Sequence, residues 1–563
     1  MRAITLCLLL STSLLAACGG SSDLYPGTES SSRSSSSRAA SSVAPTTVET
    51  LTGTVNNYYT GTPIAEAEIT VTALDENDNV LMSATTQTDA NGAYSVEELG
   101  VHSRFVLSIR KTGFATRTEI LSNFTTQTNI NRSSLLLVAN PTTAFSADSA
   151  TSVIINNDAL IELPANALVN ADGTAVNGDI TPTITIIDPS GDAGIMPGNY
   201  QARDTETGTI SLIESFGAID INFRDANDNL LQLAENTSAT ISIPLASGVR
   251  PSDAPATVPL YYFNESTGYW IKEGEATLTT VGNKHFYRGE VTHFSTWNAD
   301  LAYETINVTG CIRNASNNPL SNVRIIASGR DFIGQSTAYS NSSGSFEIPV
   351  RINSSILLNA IATTQSDTIT TDTETSDLTV STCLELAEGS AAITLTWGEN
   401  PDDLDSHWFI PNAAGTLEYE VDYTNKSEEV NGVVFDLDVD DTTGFGPEVV
   451  TIPDFPHAGT YRYVIHLFSG DGTIADSPTR VELNLRGNIY IFSASDAIGD
   501  QTAEYWHVFN IQVDGGGNTT VVNVQQFSDG DSLARASAMG VRSLKSGDSE
   551  TAPKLNKVKH YAE

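Results

Sequence analysis

An alternating acidic stretch in the last third of the chain has the residue types and spacing of a metal site. In the segment 402–408, Asp403, Asp405 and His407 are each separated by one residue. The side chains of a β-strand point alternately to its two faces, so residues two apart share a face. If this segment is extended, two carboxylates and an imidazole therefore lie side by side.

A second acidic stretch follows at 433–441, and Glu448 comes shortly after it. Alternation predicts that one face of this strand packs into the core and carries Phe435, Leu437 and Val439. The opposite face would then carry Asp436, Asp438 and Asp440. Like charges in register on a strand repel one another, and a cation between them would relieve that repulsion.

The candidate metal ligands are therefore Asp403, Asp405, His407, Asp436, Asp438, Asp440 and Glu448. Calcium takes six to eight oxygen ligands, many of them from carboxylates, which favours Ca²⁺ or another divalent cation. An imidazole suits zinc or a similar metal better than calcium. Gly444 and Glu448 are too close for an EF-hand loop. The alternative to a metal site is a solvated strand face in an acidic protein.

The familiar catalytic motifs are absent from the sequence. It contains no HExxH zinc motif, no GxSxG nucleophile elbow, no Walker loop and no GxGxxG. We therefore predict no catalytic residue and no enzyme activity. A glycosidase needs only two suitably spaced carboxylates, and among 68 acidic residues such a pair stays open as an alternative.

Cys18 stands where a lipid anchor would be attached. Arg2 is followed by an apolar run at 3–14, and then by Leu15-Ala16-Ala17-Cys18. This arrangement resembles the signal of bacterial lipoproteins. The resemblance implies that residues 1–17 are a signal peptide removed before Cys18, and that Cys18 carries the lipid. Gly19 in place of Asp after the cysteine favours the outer membrane.

The mature protein would retain two further cysteines, Cys311 and Cys383, because Cys7 lies in the signal peptide. An even pair in an exported protein favours a disulfide, which we predict between these two residues. The alternative is two free buried thiols. The run at 3–14 is too short to cross a bilayer, which needs about 20 apolar residues, and no later stretch qualifies.

The charge balance limits the partners of the protein. Lys and Arg number 28 against 68 Asp and Glu, for a formal net charge of -40 at pH 7. Nucleic-acid binding depends on a basic surface, so we expect no nucleic-acid partner. Cations become plausible ligands, although a high net charge also serves simply to keep an exported protein soluble.

The two ends of the mature chain have compositions that cannot form a core. The segment 18–49 is a Ser-rich linker, almost entirely serine from Ser30 to Ser42. The segment 529–563 is rich in Ser, Gly, Ala and Lys. We predict that both are disordered, and that the linker holds the folded part away from the membrane.

The first folded region, 50–137, alternates apolar and polar residues in the manner of β-strands. Its most distinctive residues are Gly53-Thr54-Val55, Pro63-Ile64, Ala67, Thr88-Asp89-Ala90-Asn91-Gly92-Ala93-Tyr94 and Lys111-Thr112-Gly113-Phe114. With these, the region resembles the carboxypeptidase regulatory-like domain, a small transthyretin-like β-sandwich. The resemblance implies an accessory module and no peptidase activity.

The same order of residues returns at 301–389, which indicates an internal repeat. The repeated positions are Gly310, Pro319-Leu320, Val323, Ile325 and Ser343-Gly344-Ser345-Phe346. We predict a second carboxypeptidase regulatory-like sandwich there. This copy has Ser340-Asn341-Ser342 where the first has the aspartate of the turn, and it contains both Cys311 and Cys383.

The segment 138–300 is predicted to be β-rich, with strand runs separated by Asp172-Gly173 and Asn177-Gly178. The phrase at 163–168, followed by Gly173 and Val176, resembles ZU5-like β-domains. No stretch of this segment has convincing helical periodicity.

The last folded region is 390–528. Its characteristic residues are Leu395-Thr396-Trp397, Asp402-Asp403-Leu404-Asp405-Ser406-His407, Asp438-Val439-Asp440-Asp441, Gly444-Phe445-Gly446-Pro447-Glu448 and Gly459-Thr460-Tyr461-Arg462-Tyr463. They are similar to a YfaP-like domain of exported bacterial proteins. The resemblance implies a β-domain and no particular biochemical role.

The sequence as a whole predicts an all-β lipoprotein of tandem β-sandwich domains after a disordered linker. We expect a non-catalytic display, adhesion or scaffolding role at the cell envelope. Its partners would be the outer membrane, through the lipid, and an envelope protein or polysaccharide. One alternative is a carbohydrate-binding surface protein, with Tyr58-Tyr59, Tyr261-Tyr262 and Trp408 as candidate platform residues. The other is an envelope polymer hydrolase that uses carboxylates.

Overall fold

The computed structural model describes residues 46–102, 104–122, 129–362, 364–387 and 391–528. The predictions for the signal peptide 1–17, Cys18, most of the linker and the tail 529–563 concern residues outside these ranges. In the described residues, regular structure consists of 40 β-strands and two short 3-10 helices, so the prediction of an all-β protein is confirmed. None of the helices in this part of the chain has the length and apolar character needed to cross a membrane.

The first domain is a sandwich of two sheets. Its strands are β1 (Thr46–Asn57), β2 (Glu68–Leu74), β3 (Val80–Gln87), β4 (Ala93–His102), β5 (Arg104–Arg110), β6 (Arg117–Ser122), β7 (Asn129–Asn131) and β8 (Ser134–Leu136). One sheet has the order β4-β1-β7, with β8 also on β1, and the other has the order β3-β2-β5-β6. Alternation along β2 buries Ile69, Val71 and Ala73 between the sheets, as its period of two requires.

The second domain is built on one large sheet of 13 strands. These are β9 (Phe145–Ser146), β10 (Thr151–Ile155), β11 (Asp158–Leu163), β12 (Leu168–Val169), β13 (Asp179–Ile187), β14 (Gln201–Arg203), β15 (Ile210–Arg224), β16 (Leu230–Leu233), β17 (Ala239–Pro244), β18 (Thr257–Asn264), β19 (Tyr269–Val281), β20 (Lys284–Val291) and β21 (Thr296–Tyr303). A 3-10 helix covers Ala193–Ile195. The last strand continues past the predicted boundary at residue 300.

The third domain repeats the topology of the first. Its strands are β22 (Thr305–Asn314), β23 (Arg324–Gly329), β24 (Gln335–Tyr339), β25 (Ser345–Arg351), β26 (Ser355–Ile361), β27 (Ile369–Asp372), β28 (Leu378–Thr379) and β29 (Leu384–Leu386). The sheets have the orders β25-β22-β28, with β29 also on β22, and β24-β23-β26-β27. This is the order of the first domain, strand for strand, which supports the internal repeat.

The turns that precede β4 and β25 show why the first copy can have aspartate where the second copy has asparagine. In the first domain, Asp89 Oδ1 accepts hydrogen bonds from the backbone N–H groups of Asn91 and Ala93, at 2.8 and 2.9 Å. In the third domain Asn341 Oδ1 accepts from Ser343 and Ser345, at 2.9 and 3.1 Å. Either side chain supplies the acceptor oxygen of an Asx turn, so asparagine replaces the aspartate without loss of the turn.

A disulfide joins Cys311 on β22 to Cys383 just before β29, as predicted. It connects the central strand of one sheet to the segment that pairs with that strand in parallel. The two cysteines are 72 residues apart in sequence.

The fourth domain is another two-sheet sandwich. Its strands are β30 (Ala391–Thr396), β31 (Asp403–Pro411), β32 (Leu417–Val421), β33 (Ser427–Val430), β34 (Val433–Val439), β35 (Glu448–Ile452), β36 (Gly459–Ser469), β37 (Arg480–Leu485), β38 (Asn488–Ser493), β39 (Tyr505–Val513) and β40 (Thr519–Ser528). The sheets have the orders β33-β34-β35-β30-β37-β38 and β32-β31-β36-β39-β40. A 3-10 helix covers Ala494–Asp496.

Polar contacts connect the third domain to its neighbours. Arg351 forms a buried ion pair of 2.7 Å with Glu214 of the second domain. Toward the fourth domain, the backbone N–H of Thr368 donates to Asp438 at 2.9 Å, and Arg330 lies 3.5 Å from Asp441. These contacts place the acidic end of β34 beside the third domain.

Candidate cation site in the fourth domain

Strand β31 carries the first set of predicted ligands. Leu404, Trp408 and Ile410 of this strand pack into the core of the fourth domain, so its other face carries Asp405 and His407. These two side chains therefore share a face, as the alternation predicts. Asp403 stands at the start of the strand, where the pairing with β36 shifts register between Asp403 and Leu404.

Four carboxylates meet at this end of the sandwich, and we call them the acidic cluster: Asp403, Asp405, Asp440 and Glu448. One carboxylate oxygen from each of Asp405, Asp440 and Glu448 lies within 4.8 Å of the other two. Asp403 is close enough that the charges of Asp405 and Asp440 both raise its pKa. The two acidic stretches of the sequence thus converge, but only through part of the second one.

Each member of the acidic cluster has a buried oxygen without a hydrogen-bond partner. These atoms are Asp403 Oδ1, Asp405 Oδ2, Asp440 Oδ1 and Glu448 Oε1. Asp403, Asp405 and Glu448 are only 5%, 2% and 0% exposed. A buried polar atom with no partner is costly, and native structures rarely leave one unexplained. Four such oxygens at one place form an arrangement that a cation could neutralise.

In two members of the acidic cluster, Glu448 and Asp440, the other carboxylate oxygen accepts a hydrogen bond from the protein. Glu448 Oε2 accepts a hydrogen bond of 2.6 Å from the backbone N–H of Ser406. Asp440 Oδ2 accepts one of 2.6 Å from the Lys426 ammonium group, which is half exposed. Glu448 and Asp440 are therefore each held in place through one oxygen, while the other oxygen has no partner.

The electrostatics of the acidic cluster make the metal-free form unfavourable when it is fully ionised. Burial, together with the charges of Asp405 and Asp440, raises the pKa of Asp403 to about 7. Burial also raises the pKa of Glu448 well above its ordinary value, with the charge of Asp405 adding to the effect. Buried like charges must either take up protons or be neutralised by a cation.

The loop between β34 and β35 delivers Glu448 to this position. Gly444 donates its backbone N–H to the carbonyl of Asp402 at 2.6 Å, which holds the loop against the start of β31. Gly446 has a positive φ of 71°, and a Cβ there would lie 2.7 Å from the ring of Trp397. Only glycine fits this close approach, so the Gly-Phe-Gly-Pro-Glu sequence serves to place the glutamate.

Asp436 and Asp438 do not join the acidic cluster, contrary to the prediction that they share a face with Asp440. The pairing of β34 with β35 shifts register between Leu437 and Val439, which is a β-bulge at Asp438. The Asp438 carboxylate instead accepts hydrogen bonds from Thr451 Oγ1, at 2.6 Å, and from the backbone N–H of Thr368, at 2.9 Å. It is a residue of the junction with the third domain.

His407 lies beside the acidic cluster, in a second group that sequence reasoning found only in part. A ligand atom of His407 lies within 4.8 Å of others from Asp405 and His466, and one also lies within 4.8 Å of others from Glu420 and Asp422. His466, Glu420 and Asp422 were not predicted. The alternation of Glu420 and Asp422 at the end of β32 is the sequence signal that could have indicated those two.

The aromatic residues proposed as a carbohydrate platform are mostly buried. Tyr58, Tyr261 and Trp408 are 9%, 7% and 0% exposed, so they serve as core and not as a binding surface. Tyr59 is exposed, and Tyr262 is half-buried. Near the acidic cluster, the structure instead exposes Tyr423 and Phe468, whose rings meet edge to face at 5.1 Å.

Comparison with known proteins identifies one region by family. Residues 50–132 match the carboxypeptidase regulatory-like domain, which agrees with the prediction for 50–137. No curated protein sequence matches the chain significantly.

Solved structures resemble parts of the chain at low identity. A homologue of the telluride resistance protein TerD from Streptomyces coelicolor is 18% identical, with coverage of 28% of this chain and 99% of its own, at a TM-score of 0.23. A protein of unknown function, SAV2460, is 18% identical and covers 28% of this chain and 100% of its own, at a TM-score of 0.22. The major pilin SpaD from Corynebacterium diphtheriae is 10% identical, with coverage of 60% and 97%, at a TM-score of 0.16. These scores are too low to support a functional argument, so the chain is described as a series of all-β domains of which the first is carboxypeptidase regulatory-like.

Proposed function

We propose that this protein is a non-catalytic display or scaffolding lipoprotein of the cell envelope, and that its fourth domain binds a divalent cation at the acidic cluster. The observation that carries the proposal is the set of four buried carboxylate oxygens without partners on Asp403, Asp405, Asp440 and Glu448. Calcium fits best, because the donors are all oxygens and several are carboxylates.

A cation bound at the acidic cluster would hold two parts of the fourth domain together. The acidic cluster joins the start of β31 to the end of the loop before β35, and Asp441 in that loop lies 3.5 Å from Arg330 of the third domain. Fixing the loop would therefore also fix the junction between the last two domains. Calcium-dependent stiffening suits a protein that holds a binding surface away from the membrane.

The envelope location rests on the sequence. Cys18 would carry the lipid, the Ser-rich segment 18–49 would act as a stalk, and Gly19 favours the outer membrane. The partner would be an envelope protein or a polysaccharide, and the net charge of -40 disfavours nucleic acid.

Thermal unfolding of the full mature chain, residues 18–563, tests the cation. A ligand that binds only the folded state raises the unfolding midpoint by mass action. We expect calcium to raise the midpoint of the chelator-treated wild type, and to have no such effect on Glu448→Gln. The control is Asp436→Asn, which removes an acidic residue of the same domain outside the cluster. Equal midpoints with calcium and with chelator in the wild type would refute the proposal.

A carbohydrate-binding role is the second candidate, and the exposed pair of Tyr423 and Phe468 favours it. Partial burial raises the pKa of Tyr423, and the charges of nearby Asp405 and Asp422 add to this rise. Exposed aromatic rings beside a bound cation would offer both stacking and coordination to a sugar. Affinity electrophoresis on several polysaccharides, with Tyr423→Ala as the variant, tests this role: retardation that depends on Tyr423 supports it, and no retardation removes it.

The burial of the carboxylates argues against the hydrolase alternative. Asp405 and Glu448 are 2% and 0% exposed, so a polymer could not reach them without a rearrangement of the loop before β35. A screen on glycans and peptides would revive this alternative only if it detected hydrolysis that Asp405→Ala abolishes.

A further inference from the structure

The outer face of the five-stranded sheet brings together two histidines that are far apart in sequence. Strands β31 and β36 are antiparallel neighbours, and their register places Asp405 opposite His466. His407 stands two residues beyond Asp405 on the same strand and on the same face. Cross-strand neighbours on one face are close enough to interact directly, so Asp405, His407 and His466 form a patch, which we call the histidine group.

The potential ligand atoms of the histidine group lie close together. One ligand atom from each of the three residues lies within 4.8 Å of the other two. His466 Nδ1 is 3.6 Å from Asp405 Oδ2, which is too long for a hydrogen bond. The rings of His407 and His466 meet at 72° with their centroids 5.9 Å apart.

Two atoms of the histidine group are buried and have no hydrogen-bond partner. These are His407 Nε2 and Asp405 Oδ2. Asp405 is 2% exposed, so solvent does not satisfy its oxygen. Buried polar atoms normally have a partner. A metal ion bound between this imidazole nitrogen and this carboxylate oxygen would supply one to both.

Glu420 orients the His407 ring. Its Oε1 lies 2.7 Å from His407 Nδ1, so that nitrogen is engaged and Nε2 is the one left for another partner. Histidines that bind metals almost always donate their second ring nitrogen to a carboxylate, a carbonyl or water, which fixes the tautomer and raises the basicity of the ligating nitrogen. The Glu420–His407 contact has this form.

We propose that Asp405, His407 and His466 bind a zinc ion, at a site separate from the acidic cluster except for the shared Asp405. Two histidines and one carboxylate are a common zinc ligand set in which the fourth position stays open to water or another ligand. An imidazole-rich set selects zinc and similar metals, whereas the oxygen-only acidic cluster selects calcium. Asp405 Oδ2 is the unpaired oxygen of this residue in both sites, so it would bridge the two ions.

The fourth position would face the exposed aromatic pair. Phe468 follows His466 on β36, and their ring centroids are 6.4 Å apart. Tyr505 stacks on the other side of His466, with centroids 4.4 Å apart. The His466 side chain is 20% exposed, so a ligand from solvent can approach the site on this side.

The ordinary alternative is an ion pair without a metal. Burial lowers the pKa of His407, but the hydrogen bond and charge of Glu420 and the charge of Asp405 outweigh it and raise the pKa overall. A protonated His407 would partly neutralise its neighbours. This alternative leaves His407 Nε2 without a partner, and it predicts no metal affinity.

The test uses the full mature chain after treatment with chelator. Zinc affinity is measured by competition with a chromogenic chelator, and cobalt(II) is added as a spectroscopic substitute whose visible absorption reports imidazole coordination. We expect the wild type to bind one zinc in the fourth domain, and His407→Asn and His466→Asn to weaken binding at least tenfold. Glu420→Gln should weaken it by about 10- to 100-fold, as is usual for residues that support a ligating histidine.

Two further variants separate this site from others. His285→Gln, in the second domain, controls for zinc on surface histidines and should leave affinity unchanged. Glu448→Gln should retain zinc while losing calcium, which distinguishes this proposal from the proposed calcium site. Melting of each metal-free variant at the wild-type midpoint shows that it folds. The proposal is overturned by a wild type that binds no zinc, by histidine variants that bind it normally, or by zinc binding that Glu448→Gln abolishes.

Discussion

Glu448 accepts a hydrogen bond of 2.6 Å from the backbone N–H of Ser406, and this contact connects the two sheets of the fourth domain. Glu448 begins β35 in one sheet, and Ser406 lies within β31 in the other. The bond uses Oε2 and directs the other oxygen, Oε1, to a buried position without a partner. The backbone thus holds the glutamate in place beside the carboxylates of Asp405 and Asp440.

Asp438 should stabilise the junction of the third and fourth domains without affecting cation binding. Asp438→Ala removes the acceptor for the Thr368 N–H and for Thr451 Oγ1. Leaving a buried donor unsatisfied costs about 1–3 kcal/mol, so we expect a loss of stability of that size in denaturant unfolding. Calcium affinity should stay within twofold of the wild type. A large loss of calcium affinity in a folded Asp438→Ala protein would contradict the placement of this residue.

Asp220 should make the second domain less stable as the pH rises. It is 2% exposed, and burial raises its pKa from 3.8 to about 7. Between these values the folded state binds a proton that the unfolded state has lost. The stabilising contribution is therefore complete below about pH 4 and is lost as the pH rises through about 7.

The variant Asp220→Asn isolates this effect. A pKa unit corresponds to about 1.4 kcal/mol, so the unfolding free energy of the wild type relative to Asp220→Asn should fall by up to about 4 kcal/mol between pH 4 and pH 8. Comparing the two proteins removes contributions of other buried acids, such as Glu214, whose pKa burial also raises to about 7. A stability difference that does not change with pH would show that Asp220 ionises normally.

The disulfide should stabilise the third domain by closing a long loop. Cys311 and Cys383 are 72 residues apart, and a loop of this length contributes about 4 kcal/mol in the chain-entropy model. We expect the double variant Cys311→Ala/Cys383→Ala and the reduced wild type to unfold at similar midpoints, both well below the oxidised wild type. Mass spectrometry of the mature protein without reductant provides the check: two alkylated thiols at these positions would disprove the bond in solution.

Cys18 should determine where the protein is found. If it carries the lipid, Cys18→Ser prevents lipid attachment and signal cleavage at this site, and metabolic labelling with a radioactive fatty acid should be lost. The wild type should fractionate with the outer membrane. Labelling that persists in Cys18→Ser, or a wild type that stays soluble, would contradict the lipoprotein prediction. Protease treatment of intact cells would then tell a surface location from a periplasmic one.

The sequence predicts much of this architecture because its signals are local. The turn residues around Asp89 and Gly92 recur around Asn341 and Gly344, so the repeated sandwich is visible from the sequence. The cysteine pair follows from a count of cysteines in an exported chain. The single sheet of 13 strands in the second domain depends on pairings between distant strands, which periodicity does not reveal.

The sequence predicts only part of the candidate site, because the rest of the site depends on contacts between residues that are distant in sequence. Asp405 and His407 share a face because of simple alternation along β31. Asp440 departs from the face of Asp436 and Asp438 because the register shifts between Leu437 and Val439, and a bulge leaves no clear mark on the alternation of apolar residues. His466 joins the histidine group through the register of β31 with β36, which brings together residues separated by most of the domain.

Calcium binding to the chelator-treated mature chain, measured by isothermal titration calorimetry, tests the central claim most directly. The acidic cluster predicts binding at one site by the wild type and by Asp436→Asn, and loss of this binding in Glu448→Gln. Both variants replace one carboxyl group of the same domain by an amide, so a difference between them reports the cluster and not a general loss of acidic groups. No calcium binding by the wild type, or equal binding by all three proteins, would contradict the account.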